Sequence, residues 1–297
     1  VNVAFIEDPE KRFWQFVVER QSIWHRRFVL SYARPWTDDP ILHRYKFCNV
    51  IRDLDIGTQI IKRNVLQNEY LSTAQKVHAV IFYRMLNNYH TWLYITGMPT
   101  NNEEMRTALG RLDGKKKVWS SAWISTAMVK AAPKIVATDY TELVNLVSAA
   151  PNDVPTSAVH AVIKRYPGLS GLVGFQMALD LSTIHPRRSA DVVQAHRSHY
   201  NQARGDNASG SWVGASIIDL TREPHEVIEH LHRRTALELV GTGVDWPKIT
   251  PAGYTDLHLH DIEHALCEWT KYERIRNGAK PNRSCNYVLK SERDVRW

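Results

Sequence analysis

A mostly α-helical fold is predicted for this chain by three observations. Apolar residues recur at three- and four-residue spacing through nine separate stretches, and several of those stretches open on helix-capping signals. Strand-like alternation is confined to two short runs, Lys134 to Thr138 and Tyr287 to Leu289, too short to build a sheet around.

The first helix starts at Asp8-Pro9-Glu10, where an N-cap residue precedes a proline at the first helical position and an acid in the first turn. Its apolar stripe, Phe13, Phe16, Val17, Ile23 and Phe28, carries it to about Leu30. A turn follows at Pro35-Trp36-Thr37-Asp38-Asp39-Pro40, in which Thr37 or Asp38 is the expected cap of the next helix. Ile41, Tyr45, Val50, Leu54 and Ile61 then predict a second long helix. Ser72-Thr73-Ala74-Gln75 is a capping box before a third, with Val77, Val80, Ile81, Met85 and Leu86 inside it. Further helices are expected over 101–112, 140–149, 156–166, 172–184, 224–240 and 257–277, the last stopped by Gly278 and Pro281. Ala203 to Gly214 reads as the longest loop, either an active-site loop or a surface excursion. No repeat or linker divides the chain, so one helical domain over residues 1–297 is expected, with two lobes around a cleft left open.

With 297 residues, 43% of them apolar and 23% charged, the composition is that of a folded protein rather than a disordered tail. No run approaches the roughly 20 apolar residues of a bilayer span, and the sequence reads as a soluble, cytoplasmic protein with no membrane partner. Cys48, Cys267 and Cys285 are odd in number and far apart, which argues against a disulfide framework or a zinc ribbon and for a reducing compartment. A net charge of +7 favours a polyanionic partner, because each cation that neutralises a phosphate releases condensed counterions. The phosphate-binding loop GxxxxGK[ST], the dinucleotide motif GxGxxG and the nucleophile turn GxSxG are all missing, so phosphoryl transfer from ATP is not expected of this chain by itself.

Candidate chemistry is densest between Glu19 and Gln59. On the predicted second helix Arg52, Asp55 and Gln59 fall at i, i+3 and i+7, with Asn49 one turn earlier, a row suited to a planar ligand or to a structural ion pair. Arg20 and Arg27, seven apart on the first helix, form an anion-binding wall or a solvated basic face, with Arg26 beside Glu19. Trp36 offers a stacking surface. Near the C-terminus Glu268, Lys271 and Tyr272 share a face, with Glu263 and Cys267 on its neighbour, and Glu268 is placed to tune Lys271. His258, His260, Asp261 and His264 invite a metal reading, but no third-ligand motif accompanies them and no metal is assigned.

The stretch from Arg165 to Ala178 joins two predicted helices through Gly168, Gly171 and Gly174. It resembles the helix-hairpin-helix element of DNA glycosylases, whose hairpin amides hold a DNA phosphate; Gln176 stands where some of those enzymes have a lysine, and the following acid is Asp180 or Asp191. A plain glycine-rich helical turn fits the same residues.

Blocks in order along nearly the whole chain carry a wider resemblance: Glu19-Arg20, Arg26-Arg27, Pro35 to Leu42, Phe47 to Val50, Arg52 to Asp55, Phe82-Tyr83-Arg84, Gly174 to Leu181 and Glu263 to Tyr272. They resemble the alpha-glutamyl/putrescinyl-thymine pyrophosphorylase family, which overlaps with the helical domain of 5-hydroxymethyl-deoxyuridine DNA kinases. The resemblance implies an all-helical, DNA-glycosylase-like enzyme of bacteriophage DNA hypermodification, acting in the host cytoplasm without a cofactor. Its substrate would be double-stranded DNA carrying a 5-(pyrophosphoryloxymethyl)uracil base, flipped into a pocket, whose pyrophosphate an amino acid or polyamine replaces. A DNA kinase is the further partner it suggests. Roles follow by residue: Arg20, Arg27 and Arg52 for pyrophosphate, Asp55 and Asp180 for orienting and base work, and Trp36 and Asn49 for the base. Gln59 and Gln176 add substrate contacts, and Glu263, Glu268 and Lys271 close the site from the last helix. Where relatives carry a glycine-rich loop after Asp180, this chain has Gly205 to Gly214 following a longer polar helix. Base excision and a non-catalytic helical DNA-binding or viral structural module are the competing functions.

Overall fold

A computed structural model describes residues 8–88, 91, 95, 97–114, 118–119, 126–149, 155–182, 184, 210–239 and 257–280, with twelve α-helices among them and no strand. The chain divides into two compact units, residues 56–202 forming one and residues 1–55 with 203–297 the other. Each has its own apolar core.

The split unit is built on α1 (Pro9–Trp24), α2 (Pro40–Arg44), α10 (Gly210–Ile218), α11 (Pro224–Leu239) and α12 (Leu259–Arg276). Asp8 caps α1 as predicted, its Oδ1 accepting the Glu10 N–H at 3.0 Å. Beyond Trp24 the helix widens into a π-helical turn, His25–Val29, before the chain turns. α12 is the central helix, packed by α1, α10 and α11, and its Trp269, fully buried, sits edge-on against Phe13 of α1 at 5.7 Å between ring centroids.

The expected loop at 203–214 needs correction at its C-terminal end, while 203–209 lie outside the described residues. Gly210 and Gly214 open α10, and they are small because α10 lies directly on α12. A Cβ on Gly210 would stand 2.8 Å from Cys267 Sγ, and one on Gly214 2.7 Å from Thr270 Oγ1. The glycines mark close helix packing, which local composition does not separate from a flexible turn.

The second long helix also fails. α2 ends at Arg44, residues 45–50 run without regular structure, Arg52–Leu54 makes one 3₁₀ turn, and Ile56–Ile61 is a separate helix, α3, in the other unit. The cap of α2 is Asp39 rather than Thr37 or Asp38: its Oδ1 accepts the N–H groups of Ile41 and Leu42, both at 2.8 Å, while Thr37 Oγ1 accepts the Asp39 N–H.

The continuous unit contains α3, a π-helical turn at Lys62–Leu66, then α4 (Thr73–Leu86), α5 (Asn102–Leu112), α6 (Thr126–Ile135), α7 (Thr141–Ser148), α8 (Thr156–Ile163) and α9 (Leu172–Ser182). The Ser72–Gln75 capping box forms in both directions at 3.3 and 2.9 Å. Lys134 to Thr138, the possible strand, is the end of α6 and the turn after it; Tyr287 to Leu289 lie outside the described residues. α8 and α9 form a tight hairpin in which Gly168 has φ +74° and a Cβ at Gly174 would fall 1.8 Å from the Leu169 carbonyl oxygen. No helix among the described residues is long and apolar enough to cross a membrane.

A candidate active site around residues 47 to 55

The irregular stretch 45–55 is held in place by side chains from distant helices. Arg20 of α1 donates through one terminal nitrogen to the Phe47 carbonyl and to Asn49 Oδ1, both at 2.9 Å. Glu268 of α12 accepts the Cys48 N–H at 2.8 Å, and Asp261 at the start of α12 accepts the Arg52 N–H at 2.8 Å. Within the stretch, Asp55 Oδ1 accepts the Asn49 N–H at 3.0 Å and the Asn49 amide donates to the Leu54 carbonyl at 2.8 Å. Buried backbone groups that a helix would have paired internally are paired here by side chains instead.

This network gathers five of the predicted residues, Arg20, Asn49, Asp55, Glu268 and Lys271, in one unit. Two residues that sequence reasoning did not put there join them. His264 Nε2 lies 3.2 Å from Asp55 Oδ2, and Cys48 completes a trio whose sulfur, carboxylate oxygen and imidazole nitrogen all lie within 4.8 Å of one another. The 3.2 Å contact is an ion-pair distance without hydrogen-bond alignment: His264 Nε2 is buried and makes no hydrogen bond. On the neighbouring turn of α12 Lys271 Nζ lies 2.5 Å from Glu268 Oε1, as the i, i+3 spacing predicted, and 5.9 Å from the centre of the Phe47 ring.

Charge states follow from these contacts. Burial pushes the Asp55 carboxyl up, but contact with His264, its charge, the Asn49 N–H and the Arg20 charge together hold it below the ordinary value. Burial pulls the His264 imidazole down, and Asp55, aided by Cys48, overrides it, so His264 stays protonated well above its ordinary range. Burial and the carboxylates of Glu268 and Asp55 push the Cys48 thiol up. Burial lowers Arg20, opposed by Asp55, Cys48 and Glu268. Burial alone would lower Lys271 as well, but Glu268 raises it.

The other predicted residues are placed differently. Arg52, Asp55 and Gln59 do not form a helical row, since Arg52 is in the 3₁₀ turn, Asp55 is extended and Gln59 belongs to α3 of the other unit. Arg52 is buried, and its backbone supplies the bond to Asp261. Arg20 and Arg27 do not make one wall: the π-helical turn adds a residue and breaks the seven-residue register. Arg27 instead stacks on Trp36 at 4.8 Å, with Arg34 at 4.9 Å from the same ring and Arg26 bridging Glu19 and the Trp36 carbonyl. Glu263 is buried on α12. The histidine cluster separates too: His258 and His260 stack on each other, Asp261 holds the His258 and Arg52 N–H groups, and His264 turns to Asp55. Asp180 and Gln176 lie on α9 of the continuous unit, where Asp180 is 1% exposed and both its oxygens are held by Arg84 at 2.5 and 3.0 Å. Asp191 lies outside the described residues.

The model for "5-hmdU DNA kinase, helical domain" matches residues 10–281. A curated protein of Bacillus phage SP10, named 5-hmdU DNA kinase, is 25% identical over 302 residues, covering 91% of this chain and 47% of its own length. The chain thus spans about half the length of that relative. No solved structure matches. With a match that takes in both units and every described residue of the Asp55 cluster, this chain belongs to the family of 5-hmdU DNA kinase helical domains.

Proposed function

We propose that this chain is a transferase of thymine hypermodification, replacing the pyrophosphate on a 5-(pyrophosphoryloxymethyl)uracil base in DNA by an amino acid or a polyamine. The observation that carries this reading is the clustering of an ionised, half-buried Asp55 and a Glu268–Lys271 pair around residues 47–55. The reaction breaks the C–O bond at the 5-methylene, forms a C–N bond there, and releases pyrophosphate and one proton. It needs a carboxylate to orient the amine and take that proton, which Asp55 supplies, and a cation beside the departing pyrophosphate, which Lys271, about a third exposed, supplies. Arg20 is a positioning residue, since its bonds go to the Phe47 carbonyl and Asn49. Kinship with a helical domain of a 5-hmdU DNA kinase fits chemically, because a phosphorylated hydroxymethyl group carries the leaving group that an incoming amine displaces. The net charge of +7 suits a DNA substrate.

The test is incubation of the protein with DNA containing 5-(pyrophosphoryloxymethyl)deoxyuridine and mixed amino acids and polyamines, followed by nucleoside mass spectrometry. An amine adduct on the base is expected. A released base with abasic sites would replace this reading by base excision, for which the glycine-tightened α8–α9 hairpin is the supporting feature. Bound but unchanged DNA would leave a non-catalytic module.

A further inference from the structure

We infer that Cys48, Asp55 and His264 form a mononuclear transition-metal site of the zinc type. Three different donor atoms, a sulfur, an imidazole nitrogen and a carboxylate oxygen, already lie within 4.8 Å of one another. The second observation is the geometry at the imidazole: His264 is 8% exposed, and its buried Nε2 meets Asp55 Oδ2 at 3.2 Å without hydrogen-bond alignment. A buried imidazole held to a carboxylate only by a misaligned contact gains from an ion that takes the place of its proton and bonds to both.

The donor set selects the ion. Thiolate and imidazole favour a borderline-soft metal, whereas magnesium and calcium call for oxygen ligands. In tetrahedral zinc the bonds of about 2.0–2.3 Å set ligand atoms about 3.5 Å apart, a spacing that lies between the 3.2 Å from His264 Nε2 to Asp55 Oδ2 and the 4.8 Å that bounds the trio. Cys48 and Asp55 lie outside regular helix, where the adjustment to that spacing is small. Outer contacts are in place as well. The Asn49 N–H takes one lone pair of Asp55 Oδ1, whose second stays open for the amine's proton, and Oδ2, the oxygen facing His264, is left for the ion, while Glu268 fixes the Cys48 backbone. Binding releases one proton from the Cys48 thiol and one from the His264 imidazole, so the ion's two positive charges replace two protons and the net charge of the cluster is unchanged. Three protein ligands leave the fourth position to water or a substrate oxygen, and Cys48 and Asp55, only half-buried, leave it reachable.

Metal binding is read without DNA, so its outcome is independent of the transfer reaction. The chelator-treated full chain is titrated with Zn²⁺ by calorimetry and with Co²⁺ by absorption. One ion per chain is expected, with tetrahedral d–d bands and a thiolate-to-cobalt charge-transfer band. Cys48→Ala removes the charge-transfer band, and His264→Ala lowers affinity at least tenfold; Cys267→Ala, a thiol outside the trio, retains both. Circular dichroism of each variant separates lost binding from lost fold, and if His264→Ala unfolds, His264→Gln replaces it. No stoichiometric ion in the parent chain, or a charge-transfer band that survives Cys48→Ala, overturns the site.

Discussion

Two buried charge pairs in this molecule look alike on paper and differ in what surrounds them. In the continuous unit Arg84 and Asp180 are 2% and 1% exposed. Asp180 takes two bonds from the guanidinium, Thr58 Oγ1 takes another at 3.2 Å, Asn87 Oδ1 one more at 3.1 Å, and the Tyr83 ring lies 5.6 Å from the guanidinium carbon. That fork is saturated. In the split unit Asp55 and His264 meet at 3.2 Å without alignment, Asp55 stays 24% exposed, and a thiol stands within reach of both. Burial alone does not separate a structural pair from a site; spare bonding capacity does, because a fully satisfied network has nothing left to offer a ligand.

The contrast breaks most readily at Arg84. Arg84→Ala strands a buried carboxylate, and a loss of about 3–5 kcal/mol is expected in chemical denaturation followed by helical circular dichroism. A stable but inactive Arg84→Ala protein would move Asp180 into the chemistry and erase the distinction. Asp55→Asn is the opposite case. The amide keeps an oxygen for the Asn49 N–H but loses the ion pair with His264, so about 1–2 kcal/mol of stability should go, while adduct formation falls at least about 100-fold with the lost base. A variant that melts along with its activity would make Asp55 a second Asp180. Smaller again is Lys271→Met, which keeps the packing against Phe47 but leaves the buried Glu268 carboxylate with the Cys48 N–H and no cation. It should cost about 1–3 kcal/mol of stability in chemical denaturation, and in the protein that stays folded a kcat lowered about 10-fold reads the lost charge beside the leaving group.

Much of the helical framework was legible. Caps at Asp8 and Ser72 and the 3.6-residue periodicity located α1, α4, α5, α7, α8, α9, α11 and α12, since those signals are local and the physics that uses them is local. The stretch 41–61 was misread for a physical reason. Phe47, Val50, Ile51 and Leu54 are buried at intervals that mimic a helix, but the backbone between them is satisfied by Arg20, Asp261 and Glu268, the last 220 residues from the N–H it accepts. Local propensity carries no trace of such partners. The same distance hid Cys48 and His264. Cys48 is unremarkable in its own segment and His264 stood out only beside His258, His260 and Asp261, so only the docking of 45–55 on α12 joins the two. Asn49 and Asp55 do meet, by a backbone bond rather than along a helix face.

The mildest perturbation acts on what anchors the site from outside. α2, at five residues, is too short to persist by itself, and Asp39 holds it twice, capping two N–H groups with one oxygen and accepting the Tyr272 hydroxyl at 2.6 Å with the other. Tyr272 in turn packs with Phe16 and Phe47, at 5.3 and 6.2 Å between centroids, and Phe47 carries the carbonyl that Arg20 grips. Asp39→Ala is therefore expected to cost about 1–2 kcal/mol, whereas Asp39→Asn, an equally good cap, costs a fraction of that. If the alanine variant also weakens cobalt binding while the asparagine variant does not, residues 47–55 depend on α2 for their shape. Unchanged binding in both would mean that the bonds from Arg20, Asp261 and Glu268 suffice to hold the stretch without it.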